Sequence, residues 1–147
     1  MPFRFSLEIV LRFRQSLEDA ERAKLQQIAQ AMAAIQQELR KLDAEAQTLR
    51  ERRNQELSKG LAAAHLREWN EREDILVKAI TGLSENLQQL EISRQKQLVV
   101  FQNAHRDREL LSKVREQRHK TYLVEESRSE QKQMDDLFLL QLMREKI

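Results

Sequence analysis

Apolar residues recur along this chain at helical spacing, in two long blocks. In the first, Ile28, Met32, Ile35, Leu39, Leu42, Ala46 and Leu49 alternate steps of four and three. That is a heptad seam, and its period of about 3.5 residues predicts left-handed supercoiling against a partner helix. Phe3, Leu7, Val10 and Leu17 form a related stripe upstream. The eleven-residue step from Leu17 to Ile28 predicts a slip of phase, as a stutter gives. In the second block the seam is Trp69, Leu76, Ile80, Leu83, Leu87 and Leu90, continuing to Leu98 and Phe101.

The segments Phe3–Lys59 and Leu83–Ile147 contain neither glycine nor proline, and the main break is Ser58-Lys59-Gly60-Leu61. A glycine just past a helix can take the left-handed conformation that satisfies the last carbonyls. The pattern predicts a single domain over 1–147, with a helix over about 4–58, a turn over about 59–65 and a helix over about 66–145. Ser6 is the candidate N-cap of the first helix. Gly82 lies off the seam inside the second helix and costs roughly 1 kcal/mol against alanine. Folding the chain about residue 62 sets Leu49 opposite Leu76, Leu42 opposite Leu83 and Ile35 opposite Leu90. Leu25 then falls near Phe101, and Leu7 near Arg118. The second helix outruns the first by roughly 25 residues, counted at about 1.5 Å rise per residue. The expected fold class is all-α: two long antiparallel helices forming a coiled-coil hairpin, with the second helix overhanging.

Composition supports this and removes alternatives. Of 147 residues, 34% are charged and 5% aromatic, with two glycines and one proline, a long-helix profile rather than a globular one. The formal charge of +2 does not suggest a nucleic-acid arm. With no cysteine there is no disulfide, thiolate metal site or thiol nucleophile. No run approaches the roughly 18 apolar residues of a membrane span. Glu8, Arg12 and Arg14 break the N-terminal apolar stretch, so no signal peptide is expected there. The expected location is cytoplasmic.

No motif for catalysis stands out. There is no glycine-rich phosphate loop and no nucleophile elbow. His105 and His119 lie roughly 21 Å apart along a helix and cannot share a metal. Neither a metal nor a cofactor nor a small-molecule substrate is expected. Carboxylates and bases are spread at i, i+4 spacing, as in Glu109 with Lys113 and Glu116 with Lys120. Arg106, Arg108, Lys113, Arg115, Arg118 and Lys120 make a locally basic stretch. A solvated helix face is one reading, and a docking surface for an acidic partner is the other. In the folded register Arg108, Arg115 and Arg118 fall opposite Leu17, Val10 and Leu7. Either they snorkel there or the helices splay apart.

The two chain ends are richer in apolar residues than a two-helix seam needs. Phe3, Phe5, Leu7, Ile9, Val10, Leu11 and Phe13 crowd the first, and Met134, Leu137, Phe138, Leu139, Leu140, Leu142 and Met143 the second. Excess apolar surface of this kind implies a partner, or packing of the tails on each other. Trp69, just after the turn, covers the closed end or anchors a partner.

Three motifs in order carry a family resemblance. The opening Phe3-Arg4-Phe5 with Leu7, Leu11, Arg14 and Glu18 resembles the start of the FliJ family, flagellar type III export coiled-coil proteins. The turn Ser58-Lys59-Gly60-Leu61 with Leu76-x-x-Ala79-Ile80 is similar to theirs. So is the closing Glu126-x-Arg128-x-x-Gln131-Lys132-x-Met134-Asp135-Asp136. The resemblance implies a non-enzymatic stalk and adaptor, similar to the central stalk of rotary ATPases. It implies three partners: the flagellar export ATPase hexamer, the transmembrane export gate protein and export chaperones. It implies a protein peripherally associated with the inner face of the cell membrane.

On this resemblance the ATPase ring would meet Phe3, Phe5, Ile9, Phe13, Met134, Leu137, Phe138 and Met143. The gate would meet Leu42, Leu49, Leu76, Ala79 and Leu83. Glu45 and Arg72 are polar where the family can carry aromatics. Leu42, Leu49, Leu76 and Leu83 are also seam residues, so core packing is their other reading. The injectisome counterpart and a generic coiled-coil holdase or scaffold are the alternatives. A nucleic-acid-binding arm using Arg106–Lys120 would reveal itself by steep salt dependence.

Overall fold

A computed structural model describes residues 2–60 and 62–146. Leu61 of the anticipated turn lies outside the described residues. The described chain is two helices, α1 (Glu8–Ser58) and α2 (Ala63–Glu145), with no strand among the described residues. This is the all-α helical hairpin that the heptads imply.

α1 begins at Glu8, later than the spacing of apolar residues suggested. The Glu8 amide donates to the Phe5 carbonyl at 3.1 Å, and the Leu11 amide to the Leu7 carbonyl at 2.9 Å. Leu7 therefore occupies the capping position. Ser6, one residue earlier, is not the cap, and its hydroxyl accepts a hydrogen bond from Arg118 Nη1 at 2.9 Å. Burial of the neighbouring Phe5 ring sets the entry of the chain in place of a side-chain cap. At the far end Gly60 has φ +86°, the left-handed geometry expected of a glycine after a helix. The Lys59 and Gly60 amides donate to the Glu56 and Leu57 carbonyls at 3.1 and 3.2 Å, tightening the last turn. The Ala62 carbonyl accepts from both His65 and Leu66, so α2 starts at Ala63, ahead of the anticipated boundary.

The chain divides into two compact units: Ala20–Phe101, and Met1–Asp19 with Gln102–Ile147. The first holds the turn. Its α1 residues shelter Glu21, Leu25, Ile28, Met32, Ile35, Leu39, Leu42, Ala46, Leu49 and Arg53. Its α2 residues shelter Leu66, Trp69, Glu73, Leu76, Ile80, Leu83, Leu87, Leu90, Gln97 and Phe101. The expected leucine seam is there, with one correction. Leu98 is exposed at 37%, and Gln97 takes the sheltered position in its place. Gln97 Nε2 donates to the Glu21 carboxylate and, at 3.2 Å, to the Glu21 carbonyl, a pairing that a leucine cannot make. Arg22 lies 5.5 Å from the Phe101 ring centroid. Nearer the turn Glu73 accepts from Arg50 at 2.8 Å and from Arg53, and Arg50's hydrogen bond holds its carboxyl below the usual range.

The second unit sets the N-terminal segment against α2. Here Leu7, Leu11, Arg14 and Glu18 are the sheltered four–three positions, with Leu17 beside them. Glu21 follows three residues later in the same alternation. No slip of phase separates Leu17 from Ile28: Arg14, Glu18 and Glu21 hold the positions that an apolar count leaves blank. Among the described residues only Phe5, Leu11 and Ala46 are buried hydrophobics, and Glu18 is the buried charge. A seam one residue wide shelters side chains without enclosing them.

Candidate functional site

The region with the most unmatched apolar surface is the end of α2. Every described residue from Leu123 onward is exposed. Leu137, Phe138, Leu139 and Leu140 are four consecutive apolar residues, each more than half exposed. Successive helical residues point about 100° apart, so these four cover nearly the whole circumference. Met134, Leu142 and Met143 extend the surface. A helix that is apolar on every side needs enclosure, because docking on one face would leave the others wet.

The residues expected to bind the ATPase do not share one environment. Met134, Leu137, Phe138 and Met143 are exposed on this tail, and Ile9 and Phe13 are exposed on the outer side of α1. Phe5 is buried, with the Arg118 guanidinium 5.4 Å from its centroid. Phe3 packs edge-on to His119 at 4.9 Å and tilted on Tyr122 at 5.5 Å, with Arg115 over it at 5.9 Å. These two rings are engaged within their own chain. Sequence spacing could not separate them from Ile9 and Phe13, because the residues before Glu8 are not helical and do not follow a helical period.

The residues expected to meet the gate all lie in the turn-bearing unit. Leu42, Leu49, Leu76 and Leu83 are half-buried seam residues, and Ala79 is exposed. Leu49 and Leu76 also line a surface recess of about 320 Å³ with Glu45, Arg72 and Ile75. Ile75 is an exposed isoleucine at its rim. Arg72 stands 5.7 Å from the Trp69 ring centroid. Seam packing and surface display are therefore both true of Leu49 and Leu76.

A third cluster was not singled out by the apolar pattern. Glu18 accepts from Arg108 Nε at 2.5 Å and lies 2.9 Å from His105 Nδ1. The Arg108 hydrogen bond prevails over desolvation and, with help from His105, lowers the Glu18 carboxyl to about 2. Arg115 donates to Glu8 at 3.0 Å, and Arg14 to Asp107 at 3.3 Å. The arginines set opposite apolar positions by the sequence register thus reach carboxylates and a hydroxyl beside those positions. The signal was available in the one heptad phase linking Leu11, Glu18 and Leu25.

None of these clusters combines a nucleophile or an acid–base pair with an enclosed pocket. Among the described residues no group of three metal-ligating side chains comes together, and no helix is long and apolar enough to cross a membrane. What the molecule presents is surface: an apolar helix end in one unit and a shallow apolar recess in the other.

No curated protein and no solved structure matches this chain. A family model described as flagellar FliJ protein matches residues 3–146, essentially the full length. The two-helix architecture agrees with that match, and the chain belongs to the FliJ family, components of the flagellar protein export apparatus.

Proposed function

We propose that this chain is a non-enzymatic stalk and adaptor of flagellar protein export, whose C-terminal helix end is received by the hexameric export ATPase. The observation that carries this reading is the all-round exposure of Leu137–Leu140. A ring lumen is the kind of partner that surrounds a helix. Ile9 and Phe13 add exposed apolar surface in the same unit, whereas Phe3 and Phe5 serve to hold the N-terminal segment. The recess at Leu49 and Leu76 is the proposed contact for the transmembrane export gate, with Leu42, Ala79 and Leu83 along the same stripe. Escort of export chaperones belongs to the same reading, as does a location against the inner face of the cell membrane.

Reconstitution with the cognate export ATPase tests the proposal. The chain should co-purify with the ATPase and change its ring assembly or turnover. Leu137→Glu with Phe138→Glu should abolish both effects while helicity by circular dichroism stays within a few per cent of the parent's. Failure of the parent chain to bind or to change turnover would sink the proposal. Loss of helicity in the double variant would instead show these side chains to be packed.

A further inference from the structure

The seam of the unit that carries the termini holds arginine where a two-helix seam ordinarily holds leucine. Continuing the three–four alternation of α2 from Ala104 gives Arg108, Leu111, Arg115 and Arg118. Each of the three arginines meets an oxygen of the N-terminal segment. Arg108 Nε donates to Glu18 at 2.5 Å, Arg115 Nε to Glu8 at 3.0 Å and Arg118 Nη1 to Ser6 at 2.9 Å. Glu18 is only 3% exposed and also engages His105, whose Nε2 lies 3.6 Å from Glu109.

None of these contacts adds much net stability: in the sheltered Glu18–Arg108 pair the removal of charge from water offsets the attraction, and at the exposed Arg115 and Arg118 solvent screens it. Their effect is on choice among pairings. A seam of leucines repeats every seven residues and pairs almost as well after a slide of one heptad. Here such a slide is penalised in both directions. One direction sets Arg108 against Leu11 and leaves Glu18 without either partner. The other hands Glu18 to Arg115 but leaves Glu8 opposite Tyr122. Two copies of this stretch of α2 pairing with each other would bring arginine to arginine.

We propose that the Glu18–Arg108–His105 layer, with the Arg115–Glu8 and Arg118–Ser6 rungs, is a register lock within this unit. It selects the antiparallel pairing of the N-terminal segment with α2 and so fixes that α2 runs on alone after Tyr122.

The cysteine-free chain allows a direct test. Spin labels on Ser16→Cys and Asn103→Cys, both exposed, read the register as a distance distribution. The parent should give one narrow peak. In Glu18→Leu with Arg108→Leu the distribution should broaden or split into separate peaks, because a slide of seven residues moves one label about 10 Å along the helix axis relative to the other. The melting temperature should be held or raised. The exchanged pair, Glu18→Arg with Arg108→Glu, should restore the narrow peak. A single narrow peak in the leucine variant overturns the proposal. Should that variant lose helicity, the exchanged pair decides: a narrow peak supports the lock, and a broad one overturns it.

Discussion

Residues 20–101 and the paired part of the other unit use the same alternation of three and four but fill it differently. In the turn-bearing unit, Leu25 to Leu49 and Leu76 to Leu90 are apolar at every sheltered seam step, and polar pairs stand at its margins: Arg50 and Arg53 with Glu73, Gln97 with Glu21. In the unit of the termini, arginine and glutamate enter the seam itself, and Glu18 is the charge buried there. Leucine seams gain stability from surface removed from water, a non-directional effect that barely distinguishes one heptad from the next. Charged layers gain little net energy but tolerate few pairings. One period along one chain thus yields a stretch that holds and a stretch that chooses.

The sharpest way to break this contrast is to leave half of the charged layer in place. Glu18→Leu removes the buried carboxylate that Arg108 and His105 share and sets an apolar side chain against the guanidinium, a change that should cost about 3 kcal/mol. Amide exchange should accelerate about 100-fold in residues 8–18 and 103–118 while residues 28–49 and 76–90 keep their protection. Uniform acceleration across both units would show that they unfold as one.

Acid should act through the same residue. The folded-state value of Glu18, about 2, lies below the ordinary 4.5, so the unfolded chain takes up the proton first. Its contribution is complete above about pH 4.5 and is lost as pH falls towards 2, at most roughly 3 kcal/mol. Carbon-13 NMR of labelled glutamate should show Glu18 titrating well below the ordinary 4.5, with helix pairing in its unit weakening over that window. An ordinary midpoint for Glu18 would remove the charged layer from the account.

A smaller effect is expected from the apolar side. Leu87→Ala removes a half-buried side chain, so its cost should sit below the usual range for core leucines, about 1–2 kcal/mol. Its signature is the reverse of that for Glu18→Leu: faster exchange in residues 28–49 and 76–90. A larger loss in the unit of the termini would contradict the division of roles.

These contrasts explain which features could be read from the sequence. Two helices, one turn and the leucine seam were legible, because each rests on many residues repeating one period. The course of the chain between Leu17 and Ile28 was not, since Arg14, Glu18 and Glu21 keep the heptad in phase while hiding it from an apolar count. Leu98 attracted the seam assignment on hydrophobicity alone, yet Gln97 sits in phase and finds Glu21. Ser6 has the side chain of a cap, but α1 begins at Glu8 and so leaves that position to Leu7. For the candidate site, the apolar surplus at both ends was visible. The division between packed Phe3 and Phe5 and exposed Ile9, Phe13 and Phe138 was not, because it depends on where α1 begins.

The two glycines offer the finest comparison, since the same substitution should act with opposite sign. At Gly60 a side chain would meet nothing within 4 Å, so space is no obstacle, but φ of +86° is unfavourable for any L-residue. Gly60→Ala should therefore destabilise by about 1 kcal/mol. At Gly82 a Cβ likewise meets nothing within 4 Å, and the backbone is ordinary helix. Gly82→Ala should stabilise by about 0.5–1 kcal/mol, by restricting the unfolded chain and favouring the helix. Both lie in residues 20–101, so urea melts of the two variants compare like with like, and the midpoints should move in opposite directions around the parent's. A loss at Gly82 would mean that its bare surface is needed there, since neither crowding nor backbone geometry in this chain gives the glycine a reason to be kept.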